Sequence, residues 1–213
     1  MAGGMFTKQA DYLTAKFLND VNDSAAGGAL TSAPSGLTLP ATTQTQVGDR
    51  IILDDATAFA LSDTTVGTLY GGIYMYVSVL SGTAATSVRG CVAFFLAAGI
   101  THPNAYTVSM DPQPTTTNPT YVLGVFINGI TKTNFGWIQI AGIASVLFDT
   151  TTITGTTAGS MVSAKASATQ LGAADNAATV SQITVAALLG VSVGTVAAAT
   201  VSQVALTRGF GRI

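Results

Sequence analysis

All ten acidic residues in this chain are aspartate, and glutamate is absent. Helix surfaces draw on Glu and Lys, whereas Asp belongs in turns and at caps. A chain of 213 residues without Glu, rich in Thr and Ala and holding 23 Gly, is therefore poorly suited to an all-α fold. The composition points to short strands joined by turns.

Charge is scarce as well as one-sided in type. Lys plus Arg number 8, giving 8% charged residues and a net charge of −2, where an ordinary soluble domain carries roughly 25% charged residues. A surface with so few charges tends to associate, so much of it is expected to be covered by copies of the chain or by a partner. The balance supplies no basic field for a nucleic-acid backbone, so no nucleic acid is expected as a partner. The single cysteine, Cys91, excludes an intrachain disulfide framework and any multi-cysteine metal site, and its apolar neighbours predict a buried thiol. Residues 1–6 lack a basic region followed by an apolar run, which reads as no signal peptide and as assembly in a cytoplasm. The span between Asp175 and Arg208 is free of charge, but Ser, Thr and Gln interrupt it throughout, so no membrane segment is expected.

Phe6, Ala10, Leu13, Phe17 and Val21 recur every three or four residues, with Lys8, Asp11, Lys16 and Asp20 interleaved. This spacing predicts an amphipathic helix over 7–21. Ser, Pro, Gly and Thr then dominate to Thr45, making 1–45 a helix on a flexible arm and 46–213 a β-rich body, divisible near 149/150. Short apolar runs follow at 47–55, 72–80, 89–97, 106–110, 121–127, 137–148, 183–187, 191–197 and 201–207, with an alternating stretch at 162–168. Their eight-to-twelve-residue rhythm predicts a mainly β sandwich or barrel rather than βαβ units. Both alternating faces of 137–148 are largely apolar, as in a strand buried on two sides. Residues 173–178 read as one short helical turn. The proline-rich run 111–119 cannot sustain a strand ladder and reads as a loop.

The chemistry-bearing patterns are weak. Gly190-Val191-Ser192-Val193-Gly194 matches the G-x-S-x-G elbow of hydrolases, but the only histidine, His102, precedes the serine, and no helix former follows Gly194. Asp54 and Asp55 are adjacent, so on a strand they would point to opposite faces; with Asp63 they give no spacing that holds a metal beside His102. Tyr70, Tyr74 and Tyr76, with Trp137, fit core packing better than a sugar platform. No phosphate-binding loop is present. The expectation is no catalytic residue, no cofactor and no metal.

Phe135-Gly136-Trp137-Ile138-Gln139-Ile140-Ala141-Gly142-Ile143-Ala144-Ser145-Val146 resembles a stretch of small structural proteins from tailed-bacteriophage heads. Gly159-Ser160-Met161-Val162 to Leu171-Gly172, and Val204-Ala205-Leu206-Thr207-Arg208-Gly209-Phe210, are similar too. The resemblance covers roughly the C-terminal third. It implies a capsid decoration, or cement, protein: a non-enzymatic homo-oligomer, commonly a trimer, on the outside of the virion, bound to the major capsid protein and stabilising the shell. Closed rotation favours such an oligomer. The residues expected to contact partners are Phe6, Leu13 and Phe17 on the helix stripe, and Arg208, Phe210 and Arg212 in the tail. A receptor-binding or fibre module, or another head or tail subunit, is the alternative.

Overall fold

A computed structural model describes residues 48, 50–62, 67–79, 89–96, 107–110, 120–130, 134–149, 157–164, 174–176 and 188–207. The predicted helix over 7–21, the 111–119 loop and the 183–187 run lie outside the described residues. The described part is mostly strand, 59%. Ten strands are present among these residues: β1 (Arg50–Leu53), β2 (Gly72–Val79), β3 (Val92–Leu96), β4 (Thr107–Ser109), β5 (Thr120–Phe126), β6 (Phe135–Leu147), β7 (Met161–Ala164), β8 (Ala174–Asn176), β9 (Leu188–Ser192) and β10 (Val201–Leu206). One helix, α1 (Asp55–Ala60), follows β1.

The strands form one sheet in the order β1-β2-β4-β3-β5-β6-β10-β9-β7-β8, and an additional β2–β6 pairing closes five of them into a barrel. Sandwich or barrel thus resolves to a closed five-stranded barrel with extra strands. Closure works because β2 is bonded along both edges. Residues 72–78 pair with β6, while the other edge takes β1 over 72–75 and β4 at 78–79. β6 is longer still: its first half pairs with β2 and β5, and residues 142–147 pair with β10.

Three cores result. The barrel interior receives a side chain from every wall strand: Met75, Val77 and Val79 of β2, Ala93 of β3, Val108 of β4, Phe126 of β5 and Ile138 of β6, joined by Cys91, Met110 and Ile130. The thiol of Cys91 is buried there. Outside one wall, Tyr74, Tyr76 and Trp137 pack under Ile51, Leu53, Ala58, Leu61 and Leu69. Outside the opposite wall, Val92, Phe94, Val122 and Val125 meet Ala144, Val146, Val162, Leu189 and Val204 of the C-terminal strands. Barrel strands buried on both faces carry apolar residues at successive positions, which is why β2 reads Ile-Tyr-Met-Tyr-Val. Each fully buried large side chain contributes on the order of 1.5–3 kcal/mol. Tyr76 and Trp137 add a tilted ring contact, centroids 5.3 Å apart.

A bulge in β6 connects the barrel to the C-terminal strands. The β2–β6 register passes from Ile73↔Ala141 to Tyr74↔Gln139, leaving Ile140 unmatched. One extra residue exchanges the two faces of a strand. The buried side chain of Gln139 fixes the kink, its Nε2 donating to the carbonyls of Ala141 (3.3 Å) and Ile143 (2.8 Å). Gly142 completes it at φ +97, where a Cβ would collide with the carbonyl of Gly71 and stand 2.9 Å from the Cα of Gly72. Beyond the kink, Ala144, Val146 and Phe148 are buried and Ile143, Ser145 and Leu147 are half-buried. The two-sided burial predicted for all of 137–148 therefore holds only before the bulge.

Three other sequence readings are corrected. The expected strand over 47–55 stops at Leu53 because Asp54 caps α1: its carboxylate accepts from the Thr57 backbone N–H at 2.8 Å. The expected helical turn at 173–178 contains β8, paired with β7 from Val162↔Asn176 to Ala164↔Ala174. The expected strand over 191–197 is displaced to 188–192, and the chain turns at 198–199, with Ala199 at φ +58. A single bridge between Phe148 and Ala174 brings β8 back to the end of β6.

Gly142→Ala is expected to destabilise the fold by about 2–3 kcal/mol, from the left-handed backbone and the collision with Gly71. Urea unfolding followed by Trp137 fluorescence measures it, and a midpoint equal to the parent's contradicts this account of the kink.

Candidate functional site

None of the six expected partner-contact residues, Phe6, Leu13, Phe17, Arg208, Phe210 and Arg212, falls among the described residues. The same is true of His102 and Asp63. The remaining sequence candidates have definite places.

Ser192 ends β9 and is 2% exposed. Its Oγ donates to the Thr157 carbonyl at 3.1 Å and accepts the Ser160 backbone N–H at 3.1 Å. Backbone bonds from Gly159 N to Ser192 O and from Ser192 N to Ser160 O complete the junction. The hydroxyl thus ties the 157–160 turn to β9, and bends rather than a helix follow at 193–194. The strand-to-helix context of a nucleophile elbow is not formed here.

The two adjacent aspartates divide their work between local structure and a loop. Asp54 caps α1, and the N–H of Thr57, then its hydroxyl, hold the Asp54 carboxyl below its ordinary value of 3.8. Asp55 Oδ1 accepts the Gly71 N–H at 2.8 Å, fastening the start of β2 to the start of α1. Tyr74 and Tyr76 are completely buried, so these two rings form core rather than a sugar platform. The Tyr74 hydroxyl donates to the Tyr70 carbonyl, and burial pushes its ionisation well above the usual tyrosine range. Arg89 borders a cleft with Thr68, Leu69, Gln139 and Ser145 that has room for about one water molecule. Among the described residues, no group of three or more His, Cys, Asp or Glu is placed to hold a metal ion, and no helix is long and apolar enough to cross a membrane.

The surface feature that stands out is the outer face of the C-terminal strands. Directly paired residues share a face, and the registers align Ile143↔Ala205↔Val191↔Met161 across β6, β10, β9 and β7. Two residues along, Ser145 faces Gln203, and Val193 donates its N–H to the Gln203 carbonyl at 3.0 Å. Val201 follows at the start of β10. The opposite face of the same strands holds Ala144, Val146, Val162, Leu189 and Val204 in the core. Among the described residues of these four strands this face carries no charged side chain, and Met161 (46%), Val193 (42%) and Val201 (39%) are among the most exposed large apolar side chains of the described residues. The 67–70 loop crosses its β6 side: Ser145 Oγ donates to the Thr68 carbonyl, and Gln203 Nε2 to the Tyr70 hydroxyl. Sequence reasoning missed this face. The alternation of Val191 with Ser192 and Val193, and of Val201, Gln203 and Ala205 with their neighbours, was legible, but alternation does not reveal which face is outside.

Compared with protein-family models, curated proteins and solved structures, the chain matches no family, no curated sequence and no solved structure.

Ser192→Ala removes both bonds of a buried hydroxyl, the one it donates to the Thr157 carbonyl and the one it accepts from the half-buried Ser160 N–H, and is expected to destabilise by about 1–2 kcal/mol. Thermal unfolding reads this, and faster amide exchange at Ser160 locates it. Asp54→Ala is expected to lower the melting temperature at pH 7 by loss of the cap. Because the folded pKa of Asp54 lies below 3.8, its contribution is fully present above that value and disappears as pH falls through the folded pKa. The stability gap between parent and Asp54→Ala should therefore narrow below about pH 4; a gap constant from pH 7 to pH 2 would contradict the assignment.

Proposed function

We propose that this chain is a non-enzymatic structural protein of a bacteriophage virion, a decoration or cement protein that binds the outer capsid surface as an oligomer and stabilises the shell. The observation that carries this reading is the scarcity of charge, 8% of residues, together with the uncharged outer face of β6, β10, β9 and β7. A surface of that kind favours association over solvation. The resemblance of the 135–146, 159–172 and 204–210 segments to phage head proteins supplies the particular assembly. The barrel suits a passive load-bearing part, since wall strands buried on both faces leave little room to deform. The partner in this reading is the major capsid protein. Attachment adds many individually modest contacts over a repeating lattice, which multiplies their effect through high local concentration. A trimer is favoured because head-decorating proteins of this kind commonly occupy points of local rotational symmetry.

The test is association. Light scattering at micromolar concentration is expected to give about three times the chain mass of 21.5 kDa, and sedimentation with empty phage shells is expected to give saturable binding at fixed copy number. Deleting residues 1–45 should reduce shell occupancy at least several-fold while leaving the β body folded. A monomer that ignores empty shells overturns the proposal.

A further inference from the structure

We propose that the open edge of β1 is a self-association site, at which Arg50–Asp54 pairs antiparallel with the same segment of a second copy about a two-fold axis at Ile52. The inference rests on the geometry of β1 and does not depend on the virion assignment.

A strand bonded along one edge presents N–H and C=O groups along the other, a template for a further strand. Among the described strands, β1 stands at one end of the sheet and is bonded to β2 alone. The other end, β8, is brought back to β6 by the bridge between Phe148 and Ala174 and by the Asp149 N–H on the Ala174 carbonyl. Helix α1 turns toward β2 rather than across the β1 edge, because Asp55 Oδ1 takes the Gly71 N–H. Ala58 and Leu61 then pack with Ile51 and Leu53, on the face away from Ile52.

Exposed edges are ordinarily protected by charges that repel an incoming strand, by proline or by a bulge. β1 carries charges of both signs instead. Arg50, Ile52 and Asp54 are all exposed and share a face, since side chains alternate along a strand and Asp54 prolongs it in extended backbone, φ −75 and ψ 167. Ile52 between the two charges is 80% exposed.

These positions select the register. A two-fold antiparallel pair keeps like faces together only when the axis passes through a residue. An axis at Ile51 sets Arg50 against Ile52, and one at Leu53 sets Ile52 against Asp54; both place a charge against an isoleucine. The axis at Ile52 sets that side chain against its own copy and Arg50 against Asp54 twice, so an apolar pair is flanked by two opposite-charge pairs. Capping leaves the Asp54 carboxylate available: Oδ1 takes the Thr57 N–H and Oδ2 the Thr57 hydroxyl, and each oxygen keeps a lone pair.

Size sets the strength. The segment extends roughly 17 Å, and so short a contact falls well below the roughly 800 Å² that each partner gives to a standard interface. The pairing is transient between free chains and lasting where copies are already held close, at high local concentration. A two-fold contact cannot close a three-fold ring, so in a trimer it joins chains of different trimers.

The experiment uses the full chain with native Cys91, whose thiol is buried. In this register the two Ile52 Cβ atoms stand about 4.5–5.5 Å apart, close to the roughly 3.5–4.5 Å of a disulfide. Ile52→Cys is expected to form disulfide-linked dimers at least roughly tenfold faster than Phe59→Cys, a control of comparable exposure at 70%. Each rate is divided by that thiol's rate with a small neutral maleimide. Arg50→Asp turns both attractive pairs into repulsive ones and is expected to slow Ile52→Cys dimers at least roughly fivefold. Equal normalised rates for Ile52→Cys and Phe59→Cys, or no effect of Arg50→Asp, overturn the proposal. Amide exchange provides a readout without new cysteines: at β1 it should slow at least about twofold as the parent chain is concentrated from roughly ten micromolar to one millimolar. Exchange independent of concentration overturns the proposal equally. Near-ultraviolet dichroism of Trp137, which packs beside Ile51 and Leu53, confirms that each variant is folded.

Discussion

Strand β6 lies between two bodies of strands that face different ways, and the rest of the fold is arranged around the need to keep it bonded to both. Over 135–142 it belongs to the barrel, closing onto β2; over 142–147 it belongs to the C-terminal strands, pairing with β10. A regular thirteen-residue strand would keep one face inward throughout. The extra residue at Ile140, the carbonyl contacts of Gln139 and the left-handed Gly142 let the inward face change partway. The barrel interior and the C-terminal core can then each receive an apolar face from the same strand.

That arrangement explains what the sequence made readable. The positions of β2, β3, β5, β6 and β10 followed from apolar runs between turn residues, since a buried strand leaves that imprint regardless of its partners. The order of strands left no imprint, because pairing β2 with β4 in parallel and with β6 in antiparallel depends on contacts distant in sequence. The bulge was hidden for a related reason: both faces of 137–148 are apolar, so the exchange of faces at Ile140 does not interrupt the pattern. Helix α1 was missed because a six-residue helix scarcely completes a period, and its signal was a single side chain, Asp54, standing three residues before Thr57. The opposite mistake occurred at 173–178, where Ala-rich composition suggested a helical turn while pairing with β7 made a strand.

The candidate site was less readable than the fold. Ser192 and the tyrosines drew attention by residue type, and burial gives each a structural task instead: a hydroxyl tying a turn to β9, and rings filling the space between β1, α1 and the barrel wall. The uncharged outer face of β6, β10, β9 and β7 is made largely of Met, Val, Ala and Ile, residues that in sequence look like core. Only register distinguishes Val191 and Val193 on the outside from Leu189 and Val204 on the inside.

The β2–β6 closure has a temporal side. The strands that close the barrel lie at 72–78 and 135–142, with β3, β4 and β5 between them in the chain. A chain emerging from the ribosome at about 5–20 residues per second therefore spends several seconds with β2 made and its closing partner not yet synthesised. In that interval the alternate apolar residues that later face the barrel interior have no enclosure. The strands β7, β9 and β10 follow the barrel strands in the chain, so the wall that supports the C-terminal core is made before the strands that pack on it.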